Sequence, residues 1–282
     1  MNTGTGRVVA SIILVVAAYG AAHHAPGTGT VQAAARQDPR TDPPAPPATP
    51  APPTGPATPE ARPTASRDAS SGADATTGGR PVDCRRAKCV ALTFDDGPGP
   101  YTGTLLRHLA AHHAHATFFV VGQNVAARPS VLRGIAAAGH EIGNHTWSHP
   151  DLTKLPMAAV RAQVARCDRA VRSAAGISPA LVRPPYGALD TTVRAAVRRP
   201  LVLWSVDTLD WLHRDSARVA RVAIKGARPG AVILFHDIHP TTVRAIPKVL
   251  KALSREGYTF VTVSRLFGGH PPRLVYGAPH QL

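Results

Sequence analysis

The sequence predicts an α/β fold, a distorted (β/α)7 barrel of TIM-like type, preceded by a disordered segment rich in Pro, Ala and Thr. Three observations predict it. From residue 90 onward, apolar runs of strand length alternate with stretches of helical spacing, about seven times over. The residues with useful chemistry fall where the apolar runs stop, which in such barrels is the C-terminal face of the strands. Composition also changes sharply near residue 82, from a chain with almost nothing to bury to one that can build a core. A doubly wound open sheet is the alternative.

The first region is residues 1–24, read as a signal peptide or membrane anchor. Arg7 precedes the apolar run Val8 to Ala18, which is short for a membrane span and suits the core of a secretion signal, and small residues follow at Gly20, Ala21 and Ala22. Residues 25–82 are dominated by Pro, Ala, Thr, Ser and Gly and form a disordered linker whose work is reach. The folded part is residues 83–282. Cys84 and Cys89, just before the first strand, can close a short disulfide in an oxidising compartment, and Cys167 reads as a buried thiol.

Within the folded part, Val90 to Phe94 reads as a buried strand before a helix at 102–113, and Ala116 to Val121 as a strand before a helix at 129–138. Glu141 to Gly143 leads through a loop to a long helix at 157–175. Leu181 to Arg183 precedes a helix at 191–198, Leu201 to Val206 one at 216–227, and Ala231 to Phe235 one at 241–256; Tyr258 to Val263 closes the series. The chain carries a net charge of +15. Residues 83–282 hold 26 Lys and Arg against 12 Asp and Glu, so the folded part is itself strongly basic. A secretion signal argues against nucleic acid as the partner and leaves anionic membrane or wall polymers.

The chemistry begins at Thr93-Phe94-Asp95-Asp96-Gly97-Pro98, where two adjacent carboxylates leave a strand at a hard turn. Neighbours on a strand point in different directions, so one can bind a metal while the other handles a proton. His145-Thr146-Trp147-Ser148-His149 sets two imidazoles four residues apart, a spacing that one helical turn brings to one face. With a carboxylate from elsewhere this makes a two-His-one-Asp site with positions left open. Arg183 ends the fourth strand, Asp207 and Asp210 follow the fifth, and His236 and Asp237 follow the sixth.

Together with Arg183-Pro184-Pro185-Tyr186, Asp207-Thr208-Leu209-Asp210-Trp211 and Leu234-Phe235-His236, these stretches resemble the five ordered motifs of the NodB-like polysaccharide deacetylases, the family 4 carbohydrate esterases. The resemblance spans about residues 88–265. It implies a distorted seven-stranded barrel and a divalent metal, most often zinc, held by Asp96, His145 and His149. It implies that Asp95 is the general base, that Arg183 holds Asp95, that the backbone N–H of Tyr186 meets the oxyanion, and that His236 is the acid, oriented by Asp210. Trp211 and Leu234 would wall the pocket for the acetyl methyl group. Asp207 and Asp237 carry no assigned role.

The reading is a metal-dependent deacetylase, secreted or wall-associated, that hydrolyses N-acetyl groups of amino sugars, with N-acetylglucosamine of peptidoglycan the favoured substrate. The expected partners are that polysaccharide and the anionic cell wall, with membrane contact only through an uncleaved N-terminus. Chitin oligosaccharides and acetylxylan are the alternative substrates, and a wall-binding module without catalysis is the rival from another class.

Overall fold

Cys89–Asp95 forms the central strand β1 because all seven residues can be buried at once, as a strand covered on both faces requires. The computed structural model describes residues 82–277. From β1 the chain runs through α1 (Thr102–Ala110), β2 (Thr117–Val120), α2 (Gly122–Ala127), α3 (Pro129–Ala137), β3 (Glu141–Asn144) and α4 (Met157–Ala175). It continues through α5 (Thr191–Ala196), β4 (Leu201–Val202), β5 (Val206–Asp207), α6 (Asp210–His213), α7 (Ser216–Gly226) and β6 (Val232–His236). The series ends with α8 (Pro240–Arg255), β7 (Thr259–Phe260), α9 (Val263–Leu266) and β8 (Leu274–Val275).

The main sheet has the order β3-β2-β1-β6-β5, all parallel, with β7 paired to the start of β1. Past β3 the ring continues through Val182, which bridges to Asn144 and to Leu201, and then through the parallel pair β4 and β8. An antiparallel bridge between Ala231 and Gly277 returns to the foot of β6. The result is the barrel that the alternation of strand and helix predicts, with the distortion that the family resemblance implies. Phe94 stacks between Phe118 and Phe235, with ring centroids 5.2 and 5.4 Å away, and anchors the main core between sheet and helices.

Register places the chemistry. Asp95 pairs with Phe119 on one side and with His236 on the other, so these two functional residues sit at one level at the barrel mouth, while Asp207 pairs with Leu234 two residues deeper, level with Thr93.

Four expectations are corrected. Leu181–Arg183 makes only isolated bridges at Val182, because Pro184 and Pro185 have no N–H to continue a ladder. The run 201–206 breaks into β4 and β5, because Ser205 turns its N–H and Oγ to Val232. The segment 258–263 pairs only at 259–260. α2 and β8 were not foreseen; each is too short for its periodicity to register. The long helix at 157–175 forms over the predicted residues and ends at Gly176 in the left-handed conformation, φ 72°.

Cys84 and Cys89 are disulfide-bonded, and Cys167 is buried with its Sγ donating to Val120 O. The expected signal or anchor at 1–24 and the expected linker, save its last residue, lie outside the described residues. No described helix is long and apolar enough to cross a membrane.

Candidate active site

A cleft of about 540 Å³ opens at the barrel mouth and is lined by Asp95, Asp96, His145, His149, Tyr186, Asp207, Trp211, Leu234 and His236. Arg183 lies behind it, fully buried. A buried guanidinium is tolerable only if paired and fully hydrogen-bonded. Here Nη1 donates to Asp95 Oδ1 at 2.7 Å and to Thr93 Oγ1, Nε donates to Val202 O, and Nη2 donates to Leu203 O. The ring of Phe119 covers its face at 4.2 Å. Arg183 thereby ties β1 to the segment after β4 and fixes one oxygen of Asp95. Burial pushes the Asp95 carboxyl up, and the Arg183 charge opposes that rise.

Asp96 leaves β1 in the left-handed region, φ 71°, with its backbone oxygen held by Asn124 Nδ2 at 2.7 Å. The turn beyond it packs on Asp237. A Cβ at Gly97 would stand 2.5 Å from Asp237 Oδ1, so glycine is needed there. Asp237 accepts a hydrogen bond from Thr102 Oγ1, and burial pushes its carboxyl up to about 7. The sequence left Asp237 without a role; the structure gives it one, as the floor under the Asp96 turn.

His145 and His149 do come together, with ring centroids 4.9 Å apart, but not through the helical turn that their spacing predicts. Residues 145–149 form a loop in which Thr146 and His149 have φ of 70° and 58°. Side chains hold that loop: Asn144 Oδ1 accepts from Thr146 N, and Gln163 Oε1 on α4 accepts from the N–H groups of Trp147 and Ser148. These bonds replace the ladder a helix would need.

Three ligand atoms, one each from Asp96, His145 and His149, lie within 4.8 Å of one another. Arg183 O can only accept, so its 2.7 Å contact to His145 Nδ1 fixes the proton there and leaves Nε2 with a lone pair. Burial lowers the His145 pKa to about 3, so the ring stays neutral. That lone pair lies 3.6 Å from Asp96 Oδ1, and His149 Nε2 lies 3.4 Å from the same oxygen. Asp96 Oδ1 is buried and has no hydrogen-bond partner. Acceptors converging on an orphaned carboxylate oxygen fit a divalent cation and little else.

On the other wall, Asp210 is completely satisfied. Oδ1 accepts from His236 Nδ1 at 2.8 Å and from Trp211 N, while Oδ2 accepts from His236 N and Thr242 Oγ1 at 2.7 Å. Burial alone would lower the His236 pKa, but the hydrogen bond and charge of Asp210 outweigh it and raise the value to about 9. His236 is therefore an imidazolium at neutral pH.

Tyr186 sits in a short turn, Pro185–Gly187, with φ 60° and its side chain exposed; its ring meets His149 at 4.7 Å. Leu234 is buried and Trp211 is 47% exposed, so Leu234 closes the cleft floor while Trp211 forms an open rim. Asp207 lines the cleft and accepts from Leu209 N, a hydrogen bond that shapes the turn into α6. Sequence reasoning missed Trp204, Arg214, Ile238 and His239, which also line the cleft. Arg214 and His239 follow cleft motifs by only a few residues, but nothing in their spacing marks them.

Against known proteins, a family model described as polysaccharide deacetylase matches residues 83–200. The chain is 41% identical over 182 residues to a peptidoglycan-N-acetylglucosamine deacetylase of Listeria monocytogenes, a match covering 64% of this chain and 39% of that protein, so it spans about two-fifths of that relative's length. It is 38% identical to a chitooligosaccharide deacetylase of a Bradyrhizobium strain, covering 62% of this chain and 89% of the other. Among solved structures, a T48 deacetylase with substrate superposes with a TM-score of 0.67 at 48% identity, covering 69% of this chain and 99% of that one. The carboxylate pair, the two histidines and the buried arginine thus sit on a barrel that the T48 deacetylase shares over 99% of its chain, and with the Bradyrhizobium relative matched over 89% of its length, the chain belongs to the polysaccharide deacetylase family.

Proposed function

We propose that the protein is a divalent-metal-dependent hydrolase that removes N-acetyl groups from amino sugars of peptidoglycan, N-acetylglucosamine above all, outside the cell. One observation carries the reading: the orphaned Asp96 Oδ1 faced by the two imidazoles, with Asp95 and the protonated His236 lining the same cleft.

Asp96, His145 and His149 would hold the metal, zinc in this reading, which supplies Lewis acidity and makes water a nucleophile at neutral pH. Asp95 accepts the proton of the attacking water. Arg183 occupies Oδ1 and leaves Oδ2 for that task, and burial raises its affinity for a proton. The Tyr186 N–H donates to the oxygen that gains charge as the carbonyl becomes tetrahedral. An amine leaves only once protonated, and His236 delivers that proton while Asp210 holds its ring. Leu234 and Trp211 flank the space for the acetyl methyl group.

The substrate choice rests on similarity and charge. The Listeria relative is named for peptidoglycan, and a basic domain suits an anionic wall. The Bradyrhizobium relative, which the chain covers more fully, keeps chitin oligosaccharides as the second reading. Export follows from the apolar run at 8–18, either with cleavage or as an anchor. The test is mass spectrometry of muramidase-derived peptidoglycan fragments, chitin oligomers and acetylxylan after incubation, with and without a chelator. Chelator-sensitive loss of N-acetyl from the peptidoglycan fragments is expected. Loss from chitin oligomers or xylan alone moves the substrate, and no loss from any metal-loaded sample favours a binding module.

A further inference from the structure

α7 and α8 carry a second surface whose chemistry the reaction does not use. Arg218, Arg221 and Lys225 on α7 recur at spacings of three and four, and so do Arg244, Lys248, Lys251 and Arg255 on α8. On a helix that spacing makes each set one stripe. All seven side chains are exposed, and the opposite faces are buried through Val219, Ala220 and Ala223 on α7 and through Ile246, Val249, Leu250 and Leu253 on α8. Ser216 Oγ donates to Thr241 O and pins the two N-termini together, so the stripes run in the same direction. Packed helices lie about 8–10 Å apart, and the α8 stripe is about 16 Å long at 1.5 Å per residue.

A single acid flanks the α7 bases: Asp215 caps the helix, accepting from Ala217 N and Arg218 N, and lies within reach of the charges of Arg221 and Arg218. Between Asp215 and Glu256 the only carboxylate is Asp237, which is buried under the active-site turn. Among the described residues none of the seven takes part in an ion pair. The long helix α4 is also rich in arginine, but it carries Asp168, which pairs with Arg199. Like charges three and four apart destabilise a helix. Two parallel stripes that carry this cost with no exposed acid among their bases have the form of a binding surface.

We infer that the outer face of α7 and α8 binds a linear polyanion with closely spaced phosphate or carboxylate groups, of the kind carried by anionic wall polymers. The inference rests on the wall reading only for the polymer's source. A stripe of this length matches a chain better than a single ion. A membrane surface would call for apolar side chains to insert, and none of the large exposed apolar residues lies between 216 and 255. Single-stranded nucleic acid would call for stacking aromatics, and neither helix has one.

The probe is a fluorescently labelled poly(glycerol phosphate), titrated with the full chain across a range of salt. One variant combines Arg221→Gln, Lys225→Gln, Lys248→Gln and Lys251→Gln. A control of equal charge loss combines Arg161→Gln, Arg169→Gln, Arg194→Gln and Arg198→Gln. The stripe variant is expected to lose affinity at least about tenfold and to have a salt slope shallower by about 3, as four lost contacts imply. The control is expected to stay near wild type. Relief of repulsion should leave the stripe variant melting no lower than wild type, which excludes unfolding as the cause. Equal weakening in both variants, or none in the stripe variant, overturns the proposal, as does stripe-dependent binding to anionic lipid vesicles but not to the polymer. Deacetylation of soluble oligomers, read in the same samples, should be unchanged; its absence in every sample, wild type included, would count against the catalytic reading alone.

Discussion

The two walls of the cleft are built to opposite specifications. Asp210 accepts four hydrogen bonds and holds His236 in a finished, charged arrangement, whereas Asp96 Oδ1 on the other wall is buried with no partner at all. Both walls are shaped by left-handed residues, Asp96, Thr146 and His149 on one and Leu209 and Arg214 around α6 on the other, so the contrast lies in hydrogen bonding and not in backbone conformation. One wall is complete as folded, and the other is completed by a ligand. Proton delivery and metal binding should therefore be separable by mutation.

The largest effect is expected where the walls meet. Asp95→Asn keeps the Arg183 hydrogen bond but removes the base, and acetate release should fall by about 10²–10⁴-fold with the cation still bound. Next comes Asp210→Asn on the finished wall. With His236 as the proposed acid, activity should fall as pH rises through about 9 in the wild type. Without the Asp210 carboxylate, burial lowers the His236 pKa against only the charges of Asp95 and Asp96, and the alkaline limb of the pH-rate profile should move below 9. The stability sign agrees. A folded pKa above the ordinary 6.5 stabilises fully below pH 6.5, and this is lost as pH rises through about 9. Wild type should thus show a larger drop in melting temperature than Asp210→Asn across that window.

The third prediction breaks the incomplete wall. Adding a divalent cation at about 100 times its Kd should stabilise the wild type by about 2.7 kcal/mol, read as a rise in melting temperature. His149→Ala should lose most of that rise, while His236→Ala should keep it. The smallest effect is expected from Gly97→Ala, whose Cβ would press on Asp237 and shift the Asp96 turn. It should cost about 1–3 kcal/mol in urea unfolding and weaken cation binding, leaving the alkaline limb in place.

The same division explains what the sequence could reveal. β1 was legible as an unbroken apolar run and α4 as one strong helical period, each with a clear end, Gly97-Pro98 for β1 and Gly176 for α4. His236 was legible because it ends β6, and Arg183 and Asp210 because each follows shortly after an apolar run, Arg183 after the bridged Val182 and Asp210 three residues past β5. The path from His145 to His149 was not. A four-residue spacing reads as a helical turn, while the loop is held by Asn144 and by Gln163, whose contact is 15 and 16 residues distant in sequence. Asp237 was visible as a residue but not as a support, because its partners Thr102 and Gly97 come from far earlier in the chain. Ring closure through Val182 and β8 was also hidden, since single bridges and two-residue strands leave no periodic trace.

The most direct test is elemental analysis of purified Asp95→Asn and His149→Ala proteins alongside their rates of acetate release from N-acetylglucosamine oligomers. The two-wall account predicts that Asp95→Asn carries as much divalent metal as the wild type yet releases almost no acetate, while His149→Ala is depleted of metal. An Asp95→Asn protein that has lost its metal, or that keeps wild-type turnover, would contradict it.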